Sequence, residues 1–496
     1  MKKITTLCLG LLIILSCSKE DVTENENLSA DSQKMLTVEE INEFIAGELK
    51  VSGDVNWTDA SALMLYSAVM QSNGVLTIGY GGEGESFTEG QRSSVSNTAL
   101  RSISEILAKT EGVNKSTDDI AADDILNFAE VEITNLATVE ELKDLDNIRY
   151  FQPNYGLYLQ EENNGSQKDA GCAQESQTIN SNDYRVISPN ARLPWNFDIH
   201  NIPDAWSYST GAGITVGLID TGLSASQNLL GSGFNDGDSN GRTVERFGTF
   251  IDSPWWWSNS TDGPNDKCGH GTQMASVLAS PRNNDYMPVG VAYNCNLVAY
   301  RGTEDVLLND YHEKKGVTNA LKALGNRGDV KIISMSVGYP WSIGNVKDAV
   351  EYAYGKGKMI VAAGGTSTTF TNWYGVIFPA SMNETVAVTG LKDNGYNRCD
   401  ICHEGSKIDF TMVMQRASNT DRNVPVLGFN SGTQAYVGGS SVATAATAGI
   451  AALVWARNPG MTRAQVLNKL KQAGEFYPNR NSNFGYGNID ALKAVQ

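Results

Sequence analysis

The sequence predicts an α/β fold, a parallel sheet with helices on both faces, preceded by a small α+β domain. Three observations carry that expectation. From Trp195 onward, β-branched runs alternate with helical stretches punctuated by glycine, a pattern that builds a parallel sheet covered on both sides. Upstream of residue 160 the pattern is strand, short helix, strand. The charge is also divided. Of 56 acidic and 38 basic residues (net −18), 31 acidic but only 12 basic ones lie between Ser18 and Arg192. An acidic segment ahead of a near-neutral one points to two folding units. A length of 496 residues suits two or three units, and 41% apolar content suits a large buried core. The net charge argues against a nucleic-acid partner, whose readers carry a basic footprint.

Residues 1–16 read as an export signal: Lys2-Lys3, the apolar run Leu7–Leu15, then Ser16. The run is too short to cross a bilayer. Ile14-Leu15-Ser16-Cys17 resembles the lipobox of bacterial lipoproteins, which implies lipidation of Cys17. Ser18-Lys19-Glu20-Asp21 resembles a surface-display tag. Together they imply an exported lipoprotein on the outer membrane and the cell surface. Residues 17–36 form a polar tether.

In the region 37–160, Thr37-Val38-Glu39-Glu40 has capping-box spacing, and Ile41, Phe44, Ile45 and Leu49 share one helical face. Gly79–Gly84 reads as a loop. Ala129, Val131 and Ile133 alternate with Glu130 and Glu132 as a half-buried strand. Thr138–Glu141 is a second capping box, opening a short helix, and Ile148–Phe151 is a strand ended by Pro153. Residues 161–192 are rich in Asn, Gln, Ser and Gly and predict a flexible linker with a processing site. In the domain 193–496 the strand candidates are Ile214–Ile219, Asn296–Tyr300, Val330–Met335, Met359–Ala362 and Thr385–Val388.

Of seven cysteines, Cys8 belongs to the signal and Cys17 to the lipid, leaving an odd five. If Cys172 leaves with the linker, Cys268, Cys295, Cys399 and Cys402 remain, with three possible pairings. Cys399-Asp400-Ile401-Cys402-His403 also has haem-attachment spacing. A disulfide is the favoured reading, with haem and metal or reduced thiols as alternatives. Asp236, Asp238, Asn240 and Gly241 match the first half of a calcium loop, but Phe247 stands where its final glutamate belongs. A polar turn is the simpler reading and structural calcium the alternative.

Three residues carry the chemistry. Asp220 ends the apolar strand Gly213–Ile219, at the sheet edge where parallel folds place functional groups. His270 lies in Gly269-His270-Gly271-Thr272, ahead of a helical run; His200, His312 and His403 have no such setting. Ser441 lies in Gly438-Gly439-Ser440-Ser441-Val442-Ala443, where a helix start offers N–H groups to developing negative charge. The order Asp, His, Ser is one of those found in nucleophilic triads.

The stretch from Trp195 to Gln496 resembles the subtilisin-like serine proteases, or subtilases. The residues that carry the resemblance are Ile202–Trp206, Val216–Gly222, His270–Thr272 with Ala275-Ser276, and Gly439–Ala443 with Ala448-Gly449, supported by Ser334–Gly338, Phe378–Ala380 and Phe484–Gly487. Asp124–Tyr158 resembles the family's propeptide, a chaperone and inhibitor. The resemblance implies a subtilisin-like sheet and an endopeptidase made as an autoinhibited precursor. Ser441 would be the nucleophile, His270 the base and then acid, and Asp220 its orienting partner, with no cofactor needed. It also implies a peptide substrate paired with Ser336, Val337 and Gly338 and with Ala362, Ala363 and Gly364. The implied partners are therefore protein or peptide substrates, the chain's own propeptide and a membrane, the last through the lipid anchor.

The departures are specific. Gly365 stands where the family has an asparagine donating to the oxyanion, with Thr366 or Asn372 as nearby substitutes. Losing one such donor costs roughly 10²–10³ in rate. Gln273, Ser440, Val442, Ala445 and Tyr339 also differ from the usual residues, and Tyr339 would narrow the specificity pocket. A second reading rests on Gly365: a catalytically silent fold serving as a surface binding protein.

Overall fold

Thr37 caps the first helix as its spacing predicts. Thr37 Oγ1 accepts from Glu40 N, and the Glu40 carboxylate accepts from Thr37 N. Helix α1 (Val38–Ser52) then buries Ile41, Ile45 and Leu49. The computed structural model describes residues 34–112, 120–158, 171–367 and 375–496. The export signal, Cys17, most of the tether, Asn372 and the linker up to residue 170 lie outside the described residues.

After α1 come α2 (Ala62–Met70), β1 (Val75–Tyr80), α3 (Ser94–Thr110), β2 (Ala121–Ala122), β3 (Phe128–Glu132), α4 (Leu136–Lys143) and β4 (Ile148–Pro153). The four strands form an antiparallel sheet in the order β2-β3-β1-β4. Two local expectations are corrected. Gly79 does not open a loop but lies inside the central strand β1, because the Tyr150 ring crosses it; a Cβ there would stand 2.1 Å from Tyr150 Cε1. Helix α4 starts after Asn135, and Thr138 sits within it, donating to Glu111 Oε1 at 2.5 Å instead of capping.

A short hairpin, β5 (Tyr184–Ile187) and β6 (Ala191–Pro194), leads into the larger sheet. Its strands are β7 (Thr215–Asp220), β8 (Val244–Gly248), β9 (Asn296–Arg301), β10 (Val330–Met335), β11 (Met359–Ala363), β12 (Thr385–Lys392) and β13 (Phe410–Gln415). All seven run parallel, in the order β13-β12-β11-β10-β7-β9-β8. Alternate side chains feed opposite faces, so Ile332 joins one apolar cluster and Ile333 the other. One face carries α5 (His270–Ala279) and α8 (Ser440–Arg457), the other α6 (Tyr311–Asn326) and α7 (Gly344–Gly355). Helix α8 is buried on every side from Ser440 to Trp455, which its run of Ala, Gly and Thr permits. No described helix is long and apolar enough to cross a membrane.

The N-terminal sheet and helices share one apolar cluster with α6 and α7, from Ile41 through Leu142 to Leu321 and Val346. Charge complements the apolar contact. Glu130 pairs with Lys315 at 2.8 Å and Asp123 with Lys322 at 2.5 Å, so acids of the first part meet lysines of α6. Arg149 grips Asp348 of α7 through two bonds of 2.6 and 2.8 Å, and Tyr150 Oη donates to the same carboxylate at 2.9 Å. Burial raises the Asp348 carboxyl above its usual range even against Arg149.

The expected flexible linker is corrected from residue 171 onward. Cys172 is disulfide-bonded to Cys268, Ala173 N donates to Cys268 O at 3.0 Å, and Gln177 N to Gln434 O at 2.7 Å. Asp183 is held by Arg422 at 2.6 Å and by Tyr436 Oη at 2.6 Å. The polar composition that suggested a free segment instead serves hydrogen bonds to the larger unit. Cys399 pairs with Cys402, as favoured over haem or metal. Cys295 is a buried free thiol pushed up by burial to about 12.

Replacing Arg149 with Met strands a buried carboxylate, so urea unfolding should show a loss of about 3–5 kcal/mol. Replacing Lys109 with Met, which breaks an exposed pair with Glu141, should stay within about 1 kcal/mol. Equal losses would contradict the assignment of Asp348 as the buried anchor.

Candidate active site

Asp220 is the last residue of β7 and fully buried. Its Oδ1 accepts from Thr221 N at 2.8 Å and from His270 Nδ1, also at 2.8 Å. Among the described residues His270 is the one histidine paired with a carboxylate. Burial works against the charged imidazolium, but the Asp220 charge and hydrogen bond outweigh it, and His270 is held above its ordinary value. His200, by contrast, is a core residue. Its Nδ1 donates to Ile489 O and its Nε2 accepts from Val413 N, both at 2.9 Å, and burial pushes it down to about 4.

The junction between β7 and α5 explains the glycines on both sides. Gly222 adopts φ 102° with Pro264 O only 2.6 Å from where a Cβ would stand. A Cβ on Gly271 would lie 2.3 Å from Gly222 O. Strand end and helix start therefore meet backbone to backbone, and side chains on either glycine would separate Asp220 from His270.

A residue that sequence reasoning missed holds this junction. Asp266 Oδ1 accepts from Thr221 Oγ1, Cys268 N and Gly269 N at 2.7–2.9 Å, and Oδ2 from Thr272 N and Oγ1 at 3.0 and 2.6 Å. It caps α5 from four residues before His270, because the N-cap position itself is Gly269, without a side chain. Burial raises the Asp266 carboxyl despite these bonds. The faint signal was an acid placed just upstream of a glycine-led helix.

Ser441 stands in the first turn of α8, 7% exposed. Two links bring it to the same edge. Helices α5 and α8 pack together. Ile219 is level with Met335 in the sheet, so Asp220 and Ser336 follow side by side, and Ser336 Oγ donates to Ser441 O at 3.3 Å. In this state no hydrogen bond joins Ser441 Oγ to the His270 ring.

The other sequence-predicted positions are placed as follows. Gly365 has φ 126°, and a Cβ there would meet His403 Nδ1 at 2.3 Å. The imidazole of His403, held beside the Cys399–Cys402 bridge, fills the space an asparagine would need. Its Nδ1 donates to Gly375 O at 2.7 Å, and burial pushes it down to about 4. Thr366 Oγ1 lies 3.1 Å from Ser440 Oγ and accepts from Ser440 N at 3.2 Å, which places a hydroxyl pair next to Ser441. Ala362 and Ala363 are inside β11, and Gly364 bonds to Val388 O and accepts from Ile377 N. Gly338 is paired with Val306 and Leu308. The Tyr339 ring is buried against Trp341, 4.4 Å between centroids, and its Oη donates to Tyr155 O. Asp238 faces Arg282 Nε at 3.4 Å. Among the described residues no three or more His, Cys, Asp or Glu converge as metal ligands.

A family model described as the subtilase family matches residues 211–487. Alkaline elastase YaB of Bacillus sp. (strain YaB) is 29% identical over 308 residues, 61% of this chain and 70% of that protein. M-protease of Shouchella clausii (strain KSM-K16) is 26% identical over 398 residues, covering 78% of this chain and 89% of the relative. MycP1 from Mycobacterium smegmatis, a solved structure, is 21% identical with a TM-score of 0.48, covering 67% of this chain and 92% of that one.

The geometry sets an expectation for proton titration. Followed by NMR, the His270 ring should titrate above about 6.5, the ordinary histidine value. Asp220→Asn removes the opposing charge and leaves burial, so the titration should fall below that value. Stability follows the same sign. The gain from protonated His270 is full below the unfolded-state value, is lost as pH rises through the raised folded value, and is absent in Asp220→Asn.

Proposed function

The chain belongs to the subtilase family of serine-type endopeptidases, whose substrates are proteins or peptides, and on that premise we propose that Asp220, His270 and Ser441 form its acylating centre. The observation that carries this reading is the 2.8 Å bond from His270 Nδ1 to Asp220 Oδ1, at the same sheet edge as the start of α8. His270 Nε2 takes the proton of Ser441 Oγ as the hydroxyl attacks the scissile carbonyl, and returns it to the leaving amine. Asp220 orients the ring and stabilises its charged form. Water then hydrolyses the acyl-enzyme by the same steps in reverse. This chemistry calls for no cofactor.

The oxyanion would be met by the N–H groups that open α8 and by the Thr366–Ser440 hydroxyl pair, since Gly365 has no side chain to offer. Lacking a dedicated amide donor, the enzyme would run roughly 10²–10³ slower than one that has it.

The acidic region 37–160 would act as an inhibitory prosegment. Its apolar and ionic docking on α6 and α7 supports that role, as does the M-protease match, which is too long to fit within residues 193–496. We place the processing cut upstream of Cys172, since the segment after it is bonded to the larger unit. Export as a lipoprotein through Cys17 would put the precursor on the cell surface, and the cut would leave the lipid with the prosegment. The second reading, a silent surface binding protein, is favoured by the filled position at Gly365.

A fluorophosphonate probe separates the two. The processed protein should be labelled and Ser441→Ala should not; no labelling of either would establish the silent reading. Intact mass and N-terminal sequencing of the released form should place its first residue before Cys172. A first residue after Cys172, with the pieces parting without reductant, would refute the proposed cut.

A further inference from the structure

The backbone edge that a substrate strand would use at Gly338 is already taken by the chain itself. Gly338 N donates to Val306 O and Leu308 N donates to Gly338 O, both at 3.0 Å, as a parallel bridge between Leu307 and Gly338. Resting on the protease reading above, we infer that Val306–Leu308 is a built-in stand-in for substrate, which must withdraw before a peptide can pair with Gly338.

The pairing sense supports the exchange. Two parallel segments can both pair with one strand placed between them, since that strand meets each with the same relative direction. Opening the slot moves Val306–Leu308 away by one strand spacing, about 4.8 Å. The hydrogen bonds lost at Gly338 are replaced one for one by those of the peptide. Packing therefore decides the balance.

That packing comes from the proposed prosegment and the strap after it. Leu308 is fully buried in the apolar cluster that includes Tyr155 and Tyr158. Gly156 lies so near Asn309 that a Cβ would stand 2.8 Å from its carbonyl oxygen. On the other side, a Cβ on Gly171 would lie 3.1 Å from the Val306 methyls and 3.6 Å from His270 Cδ2, and Gly171 adjoins the Cys172–Cys268 bridge. Leu307 N is further anchored on Asp305 Oδ1 at 2.7 Å. The loop is thus gripped from both flanks, and departure of residues 37–160 removes the grip on Leu308. The prosegment would inhibit by holding the enzyme's own loop in the substrate position.

The test uses the uncut full chain, its integrity checked by mass, and two reagents. A fluorophosphonate needs only the triad, whereas acetyl-tetraalanine p-nitroanilide needs the strand slot. Leu308→Ala keeps the N–H that pairs with Gly338, or with a peptide in the open slot, and removes the buried side chain by which the prosegment holds the loop. Labelling by fluorophosphonate should stay unchanged, while kcat/KM for the peptide rises about tenfold, chiefly through KM. Intact labelling with no gain toward the peptide would overturn the latch. Should Leu308→Ala fail to fold, amide hydrogen exchange on the uncut Ser441→Ala chain decides. Slow exchange at both Gly338 and Leu308 supports the pairing, and fast exchange at either refutes it. No labelling of the parent, even after processing, together with slow exchange at both amides, overturns the protease reading and the regulatory role with it.

Discussion

The close approach of strand end and helix start at Gly222 and Gly271 is the constraint on which the rest of the site depends. The carboxylate on β7 and the imidazole on α5 are hydrogen-bonded at 2.8 Å where the backbones of Gly222 and Gly271 nearly touch. That contact requires glycine on both sides. Asp266 then satisfies the donors that the junction leaves unpaired, taking five hydrogen bonds from Thr221, Cys268, Gly269 and Thr272. A buried carboxylate with fewer partners would cost several kcal/mol; with these it fixes the start of α5 and hence the His270 ring.

The charge division along the chain acquires a physical meaning at the α6–α7 surface. Asp123 and Glu130 lie opposite lysines, and Asp348 lies opposite Arg149. Since the two parts also share an apolar cluster, neither ionic nor apolar contact acts alone. Asp348 and Glu130 are both buried, and the Asp123–Lys322 pair is largely shielded from solvent, so each carboxylate depends on its partner. Specific docking therefore resides in these three pairs and in Tyr150, which also donates to Asp348.

What could be read from the sequence was what local pattern determines. The alternation of β-branched runs and helices locates the parallel strands, and Asp220, His270 and Ser441 are visible because each sits where a periodic element begins or ends. Contacts formed by tertiary proximity were not visible. Gly79 carries the same letter whether it turns the chain or makes room for Tyr150. Thr138 has capping spacing, but Glu111 from a distant helix claims its hydroxyl. Asp266 looks like any loop acid until the helix it caps is placed beside it. Cys172 sits in a polar stretch that reads as free chain, and only the fold brings it to Cys268. Gly365 could be recognised as a departure, but the imidazole that occupies its missing side chain could not.

With His403 wedged against the α-carbon of Gly365, and the backbone there in a conformation that side chains rarely adopt, an asparagine cannot be accommodated by a change at that position alone. The ring would first have to vacate the position, and its anchoring loop is cross-linked at Cys399 and Cys402. The two positions are sterically coupled, so a side chain at residue 365 requires a compensating change at His403.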